Sequence, residues 1–190
     1  MKTCLFGGSF DPVHAGHLQV AADAQRACGL DEVVFLPAAD SPFKQGSRHM
    51  FTDGQRFAML RLATQGLPWA RVSGLDLQLP PPSWSWRIVE AWRSAHPAAQ
   101  LFWLLGTDQW DELHRWGRYD YLVQQLTFIV YHRGHAPAPR PGVNAVFLEG
   151  AHPASSSRIR HLLQQGAPLP DGWLPQPCEQ YARNHAHSPE

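Results

Sequence analysis

A doubly wound α/β fold, with a mostly parallel sheet covered by helices on both faces, is what this 190-residue sequence predicts. Three observations lead there. Short apolar runs alternate with helical patterns along the chain, the rhythm of strand–helix–strand units. The runs at 101–105 ("LFWLL") and 127–131 ("TFIVY") are apolar on both faces, as strands buried from both sides of a parallel sheet must be. The Pro-rich stretches at 79–82 and 137–141 are too short to separate domains, and there is no internal repeat. One domain over 1–185 is expected, with a frayed tail at 186–190.

The elements follow in order. Thr3 to Phe6 reads as a strand, and His14 to Cys28 as a helix ended by Gly29. Glu32 to Leu36 ("EVVFL") is a strand closed by Pro37. Thr52 to Gln65 is a helix opened by a T-x-x-Q capping box at Thr52 and Gln55. Ala70 to Ser73 is a weak strand, and Ser85 to Ala95 a helix stopped before Pro97. After the two buried strands, Val143 to Leu148 is another strand. Ser157 to Gln165 is a helix ended by Gly166, and Pro177 to Asn184 a last helix. The pattern is that of a Rossmann-like sheet.

Composition narrows the function. The chain is 44% hydrophobic and 11% aromatic, enough to build a core. Sixteen basic residues balance sixteen acidic ones, which argues against a nucleic-acid footprint. A small anionic ligand needs only a few well-placed arginines. All basic residues but Lys2 and Lys44 are arginine, which suits phosphate, although a GC-rich genome produces the same bias. Cys4, Cys28 and Cys178 are far apart and odd in number, with no ligand spacing among them, so reduced thiols in a cytoplasmic protein are expected. No run approaches a signal peptide or a membrane span, so no membrane partner is expected.

The stretch "GGSFDPVHAGHL" at 7–18 carries the chemistry. In a doubly wound sheet, ligands bind at the carboxyl ends of the strands where strand order reverses, and the first strand usually lies there. Gly7 and Gly8 let the backbone approach a phosphate and reach conformations barred to other residues. Ser9 adds a hydroxyl, and the amides of the helix starting near His14 favour an anion. Neither G-x-G-x-x-G nor G-K-[ST] is present. His14 and His17 are three apart, so they share a helix face. They could stabilise charge in a transition state, cap the helix, or form a metal pair, though no third ligand is spaced to complete the last. Asp11 is most simply a turn residue before Pro12.

This stretch resembles the G-[GT]-[ST]-F-D-x-x-H-x-G-H signature of the HxGH nucleotidyltransferase superfamily. A second signature there is a serine-rich turn opening a late helix, I-S-S-[TS]-x-[IL]-R. The sequence has "ASSSRIR" at 154–160, with Ala154 in place of isoleucine. Either motif alone could be an ordinary capped helix; the pair in this order is specific. The double glycine resembles the nicotinate-mononucleotide adenylyltransferase family most. "PPSWSW" at 81–86 is similar to that family's P-S-Y-T segment, and "LLGTDQWDELHRW" to its G-x-D-x-x-x-x-L-x-x-W segment.

The resemblance implies transfer of AMP from ATP to nicotinate mononucleotide, giving deamido-NAD and pyrophosphate in NAD biosynthesis. Gly7, Gly8, Ser9 and Phe10 would meet substrate phosphates, with His14 and His17 at the α-phosphate. Gly106 and Asp108 would hold the adenosine ribose. Ser156, Ser157 and Arg160 would cradle the pyrophosphate. Trp116, and after it Trp84, would face the nicotinate ring, and the "WGRY" loop does supply a π-face; the alternative for Trp116 is simple core packing. Ser85 and nearby amides would meet the ring carboxylate. Mg²⁺ would arrive with ATP, and no protein metal ligands are implied. Two departures touch the acceptor side. "SPFK" at 41–44 keeps a charge at Lys44 but has Phe43 where the family often has histidine, and "WS" replaces the family's "YT" at 84–85. A related adenylyltransferase using nicotinamide mononucleotide or phosphopantetheine, and a non-catalytic nucleotide-binding module, are the competing readings.

Overall fold

The computed structural model describes residues 1–39 and 49–186. Six parallel strands form its sheet: β1 (Lys2–Gly8), β2 (Glu32–Pro37), β3 (Ala70–Val72), β4 (Gln100–Gly106), β5 (Leu126–His132) and β6 (Ala145–Glu149). Their order is β3-β2-β1-β4-β5-β6. The chain winds outward from β1 through β2 to β3, then returns to pair β4 with the other side of β1. Strand order therefore reverses between β1 and β4, and a crevice opens at their carboxyl ends.

Side-chain alternation along the strands divides the core in two. Cys4, Phe102, Leu104, Ile129 and Tyr131 face helices α1 (Ala15–Cys28), α2 (Asp53–Thr64), α7 (Ser156–Gln164) and α8 (Gln176–His185). Leu5, Leu101, Trp103, Leu105, Phe128 and Val130 face α4 (Ser85–Ala95), α5 (Thr107–Asp111) and α6 (Tyr119–Gln125). Each fully buried Leu, Ile, Val or Phe side chain contributes about 1.5–3 kcal/mol.

The element boundaries have local causes. Gly29 ends α1 in the left-handed region (φ 58°), where its amide reaches the Gln25 carbonyl. Thr52 and Gln55 form the expected reciprocal box at the start of α2. The helix expected from Ser157 starts one residue earlier, because Ser155 is the cap and its Oγ accepts from the Arg158 amide at 3.3 Å. β1 extends beyond the expected Phe6, since Gly7 and Gly8 pair with Leu36 and Pro37 of β2. Four short helical pieces were not legible: α3 (Leu75–Gln78), α5, α6 and a 3₁₀ turn at Leu113–Arg115. At three to seven residues they are too short to nucleate alone and exist because they are packed. Among the described residues, no helix is long and apolar enough to cross a membrane. The expected tail lies outside the described residues beyond Ala186, as do Phe43 and Lys44.

Candidate active site

A cavity of about 440 Å³ occupies the crevice at the ends of β1 and β4. Its floor is aromatic. A Cβ on Gly7 would stand 3.2 Å from the Trp103 ring, and one on Gly8 3.1 Å from the Phe10 ring. Neither glycine has a positive φ; the left-handed residue of this turn is Phe10, at φ 45°. The bare backbone is thus required by the ring packing beneath it, not by an unusual backbone conformation. Phe10 is buried, and its ring stands edge-on to His17 with centroids 5.0 Å apart, so it props the imidazole.

His14 is the N-cap of α1, outside the helix it was expected to begin. Its Nδ1 accepts from the Gly16 amide at 3.1 Å, and the Nδ1 of His17 accepts from the His14 amide at 3.2 Å. The two histidines form a capping box on each other, with ring centroids 3.8 Å apart. An imidazole whose Nδ1 accepts carries its proton on Nε2. Each ring therefore presents a fixed Nε2–H donor. Burial pushes the His14 pKa down to about 4, aided by His152 and Arg133 nearby. Burial, then the neighbouring His14, also holds His17 well below its ordinary value. Both rings are neutral at pH 7. Capping and donation are compatible because they use different nitrogens.

The amides expected to greet an anion at the start of α1 are engaged instead. Ala15 donates to the Trp173 carbonyl, Gly16 to the His14 ring and His17 to the His14 carbonyl. Gly16 also has a steric role. A Cβ there would lie 2.9 Å from Cε1 of His14, in the space the capping ring occupies. His17 lines the cavity, whereas His14 sits behind it against the ring.

The serine-rich turn meets this stretch across the cavity. Ser156 Oγ donates to the Pro12 carbonyl at 3.0 Å. Arg160 donates through Nη1 to the Asp11 carbonyl at 2.6 Å and through Nη2 to Ser157 Oγ at 3.3 Å. The Asp11 carboxylate, 3.7 Å from Arg160, accepts from the amides of Met50 and Phe51. Asp11 is therefore an anchor for the start of α2. Arg56, fully buried, donates to the carbonyls of Ser9 at 2.5 Å and Ala38 at 2.6 Å, and pairs with Asp53. It holds the loops after β1 and β2 together from behind. In sequence it was one more arginine on an amphipathic helix, with nothing to mark it.

Gly106 lines the cavity at the end of β4. Asp108 is exposed in the first turn of α5 and is not on the wall; Gln109 is. Trp84, Ser85 and Trp116 also line the cavity. Trp116 is also core, edge-on to Trp103, so both readings of it hold. The Trp84 amide donates to the Pro82 carbonyl, which removes it as a donor to a ligand. The Ser85 and Trp86 amides, in the first turn of α4, have no helical partner. A Cβ on Gly117 would stand 3.2 Å from the Trp86 ring, and Arg118 stacks on that ring while pairing with Glu90 of α4. Asp76, a wall residue no motif marked, is 3% exposed. Among the described residues, no group of three or more His, Cys, Asp or Glu is placed to hold a metal ion.

The cytidylyltransferase-like family model matches residues 5–162. A relative from Methylacidiphilum infernorum, carrying the name "Probable nicotinate-nucleotide adenylyltransferase", is 34% identical over 97% of this chain and 91% of its own. One of the same name from Bacillus pumilus is 33% identical over 97% and 96%. The fold is similar to that of a Plasmodium falciparum nicotinic acid mononucleotide adenylyltransferase solved with NaAD, at TM-score 0.79 and 17% identity, covering 98% of this chain and 97% of that one.

Proposed function

The chain belongs to the nicotinate-nucleotide adenylyltransferases, a cytidylyltransferase-like family, and from that premise we propose how its cavity works. The reaction is transfer of AMP from ATP to nicotinate mononucleotide, which gives nicotinate adenine dinucleotide and pyrophosphate in NAD biosynthesis. The acceptor's 5′-phosphate attacks the α-phosphorus in line, and the α–β bridging oxygen leaves with pyrophosphate. A phosphate is already anionic near pH 7, so no general base is needed. Catalysis then rests on orientation and on stabilising charge.

The observation that carries this reading is the His17 Nε2–H donor on the cavity wall, fixed by the His14 amide donating to its Nδ1, with the His14 ring fixed in turn by the Gly16 amide. Neutral N–H groups held in place stabilise developing oxyanion charge without reorganising. His17 meets the α-phosphate; His14, set behind the cavity wall, holds the His17 ring. Gly7, Gly8 and Ser9 form the surface under the phosphates. The pyrophosphate end is Ser157, Arg160 and the first amides of α7, which lack helical partners. Ser156 serves there through its backbone, because its hydroxyl is committed to Pro12. Gly106 lies beside the adenosine ribose; Asp108, exposed and off the cavity wall, is assigned there by the sequence motif alone. Trp84 and Trp116 bracket the pyridine ring, with Ser85 at its carboxylate; Lys44, outside the described residues, is read as a phosphate-binding charge from the sequence alone. Mg²⁺ enters as MgATP, coordinated by phosphate oxygens and water.

The test is incubation with MgATP and each of nicotinate mononucleotide, nicotinamide mononucleotide and phosphopantetheine, following pyrophosphate and the adenylylated product. Production of nicotinate adenine dinucleotide at the highest kcat/KM supports the reading. A better rate with another acceptor, or nucleotide binding without pyrophosphate, overturns it.

A further inference from the structure

We propose that Asp76 is a positioning residue for the acceptor end of the site, tying the loop that carries Trp84 to the end of β2. The proposal rests on the adenylyltransferase reading of the cavity. Asp76 sits in α3, a helix of four residues, and forms part of the cavity wall beside Ala38, Ser83 and Trp84. Its carboxyl is buried, which is costly unless partners compensate. The partners come from two other segments. The Ala39 amide donates to Oδ2 at 3.4 Å and to Ser83 Oγ at 3.1 Å, and the Ser83 hydroxyl bonds to the same carboxyl. Residues 39, 76 and 83 thus meet at one junction.

The loop after α3 needs such an anchor for a plain reason. Pro80, Pro81 and Pro82 have no amide N–H, so the run cannot tie itself to its surroundings by backbone donors. The Trp84 amide is spent within the loop on Pro82. What holds the segment are side chains at either end: Arg87 donating to the Pro80 carbonyl at 2.8 Å, and Ser83 at the Asp76 junction. Ser83 directly precedes Trp84 and the first turn of α4, the groups assigned to the pyridine ring and its carboxylate. A junction lost at Ser83 therefore moves the acceptor subsite and leaves the β4 and α7 end, where ATP lies, in place. Among the described residues the second carboxyl oxygen, Oδ1, is buried without a partner, and burial raises the Asp76 pKa. The junction's donors need one accepting oxygen, Oδ2, which an amide of the same shape can also supply.

The test compares Asp76→Ala, Asp76→Asn and Ser83→Ala in steady-state kinetics with both substrates varied. Loss of the junction should raise the acceptor KM roughly three- to tenfold in both alanine variants. kcat and the KM for ATP should stay within about twofold of wild type, and Asp76→Asn should restore the acceptor KM to within about twofold. Ser83→Ala keeps the test open if Asp76→Ala fails to fold, as judged by circular dichroism. A parallel rise in both KM values, an unchanged acceptor KM in Ser83→Ala, or an asparagine variant as impaired as alanine overturns the proposal. Wild-type protein that makes no pyrophosphate at all overturns the underlying reading instead, so the two failures are distinguishable.

Discussion

The His14 imidazole turns its Nδ1 back onto the Gly16 amide, and glycine is needed two residues on for the ring to lie there. Two predictions belong to this scale. Gly16→Ala puts a Cβ 2.9 Å from Cε1 of His14, so the ring must swing and carry its partner with it. Turnover should fall by up to roughly 10²-fold, since displacement of about 1 Å costs that much. Wild-type kcat in this variant would show that the ring's placement does not matter. His17→Ala removes both the Nε2–H donor and the acceptor for the His14 amide. Loss of the donor should lower kcat roughly 10²–10⁴-fold with ATP affinity changed much less. Loss of the cap should cost about 1 kcal/mol in chemical denaturation. A variant that loses stability but keeps its turnover would leave His17 a capping residue only.

At the scale of elements, α7 has a free N-terminus while α1 has none, although both were expected to receive an anion. The difference lies in the chain that precedes each. His14, Ala15 and Gly16 are satisfied by rings and by Trp173, whereas Ser155 caps α7 through the Arg158 amide and leaves the first two amides open. Arg160, one turn into α7, spans from Ser157 to the Asp11 carbonyl. Arg160→Leu should raise the KM for ATP and weaken product inhibition by pyrophosphate, with the acceptor KM little changed. Initial-rate measurements with pyrophosphate as inhibitor decide this; a rise confined to the acceptor KM would place the arginine at the other end of the cavity.

Two predictions need the whole molecule. Stability depends on pH through both histidines. Their folded pKa values lie below the unfolded value of 6.5, so the unfolded chain binds more protons whenever pH is below that. The contribution is fully present above about pH 6.5 and is lost as pH falls toward about 4, where His14 itself protonates. The His14 shift alone corresponds to roughly 3 kcal/mol. Urea midpoints measured from pH 7.5 to 4.5 should fall across this window, and less in His14→Ala than in wild type. Acceptor choice also spans the molecule, because Trp84 and Ser85 come from one segment and Trp116 from another. With the Trp84 amide spent on Pro82, the Ser85 and Trp86 amides are the donors left for a ring carboxylate. An amide substituent would set its NH₂ against those N–H groups, at about 1–3 kcal/mol per unpaired group. That gives a preference on the order of 10–10² for nicotinate over nicotinamide mononucleotide in kcat/KM. Equal values for the two would refute the donor argument. Trp84→Ala should raise the KM for both alike, since stacking ignores the substituent.

Periodicity and capping residues were enough to read the six strands and the five longer helices to within a residue or two, because those signals are local. An apolar run, a serine or threonine before a helix and a glycine after it compete for backbone groups only a few residues away. The histidine pair and the serine-rich turn were legible in the same way, as patterns within a dozen residues. Tertiary structure alone decided what those motifs meet. Ser156 and Arg160 reach the carbonyls of Pro12 and Asp11 across the cavity, Asp11 takes amides from Met50 and Phe51, and Arg56 spans Ser9 and Ala38. Each of these bonds joins residues far apart in sequence, and each partner is a backbone group that every residue type possesses, so no side-chain pattern announces it. The short helices α3, α5 and α6 are of the same kind: below the length at which a helix stands alone, they take their form from the core they cover.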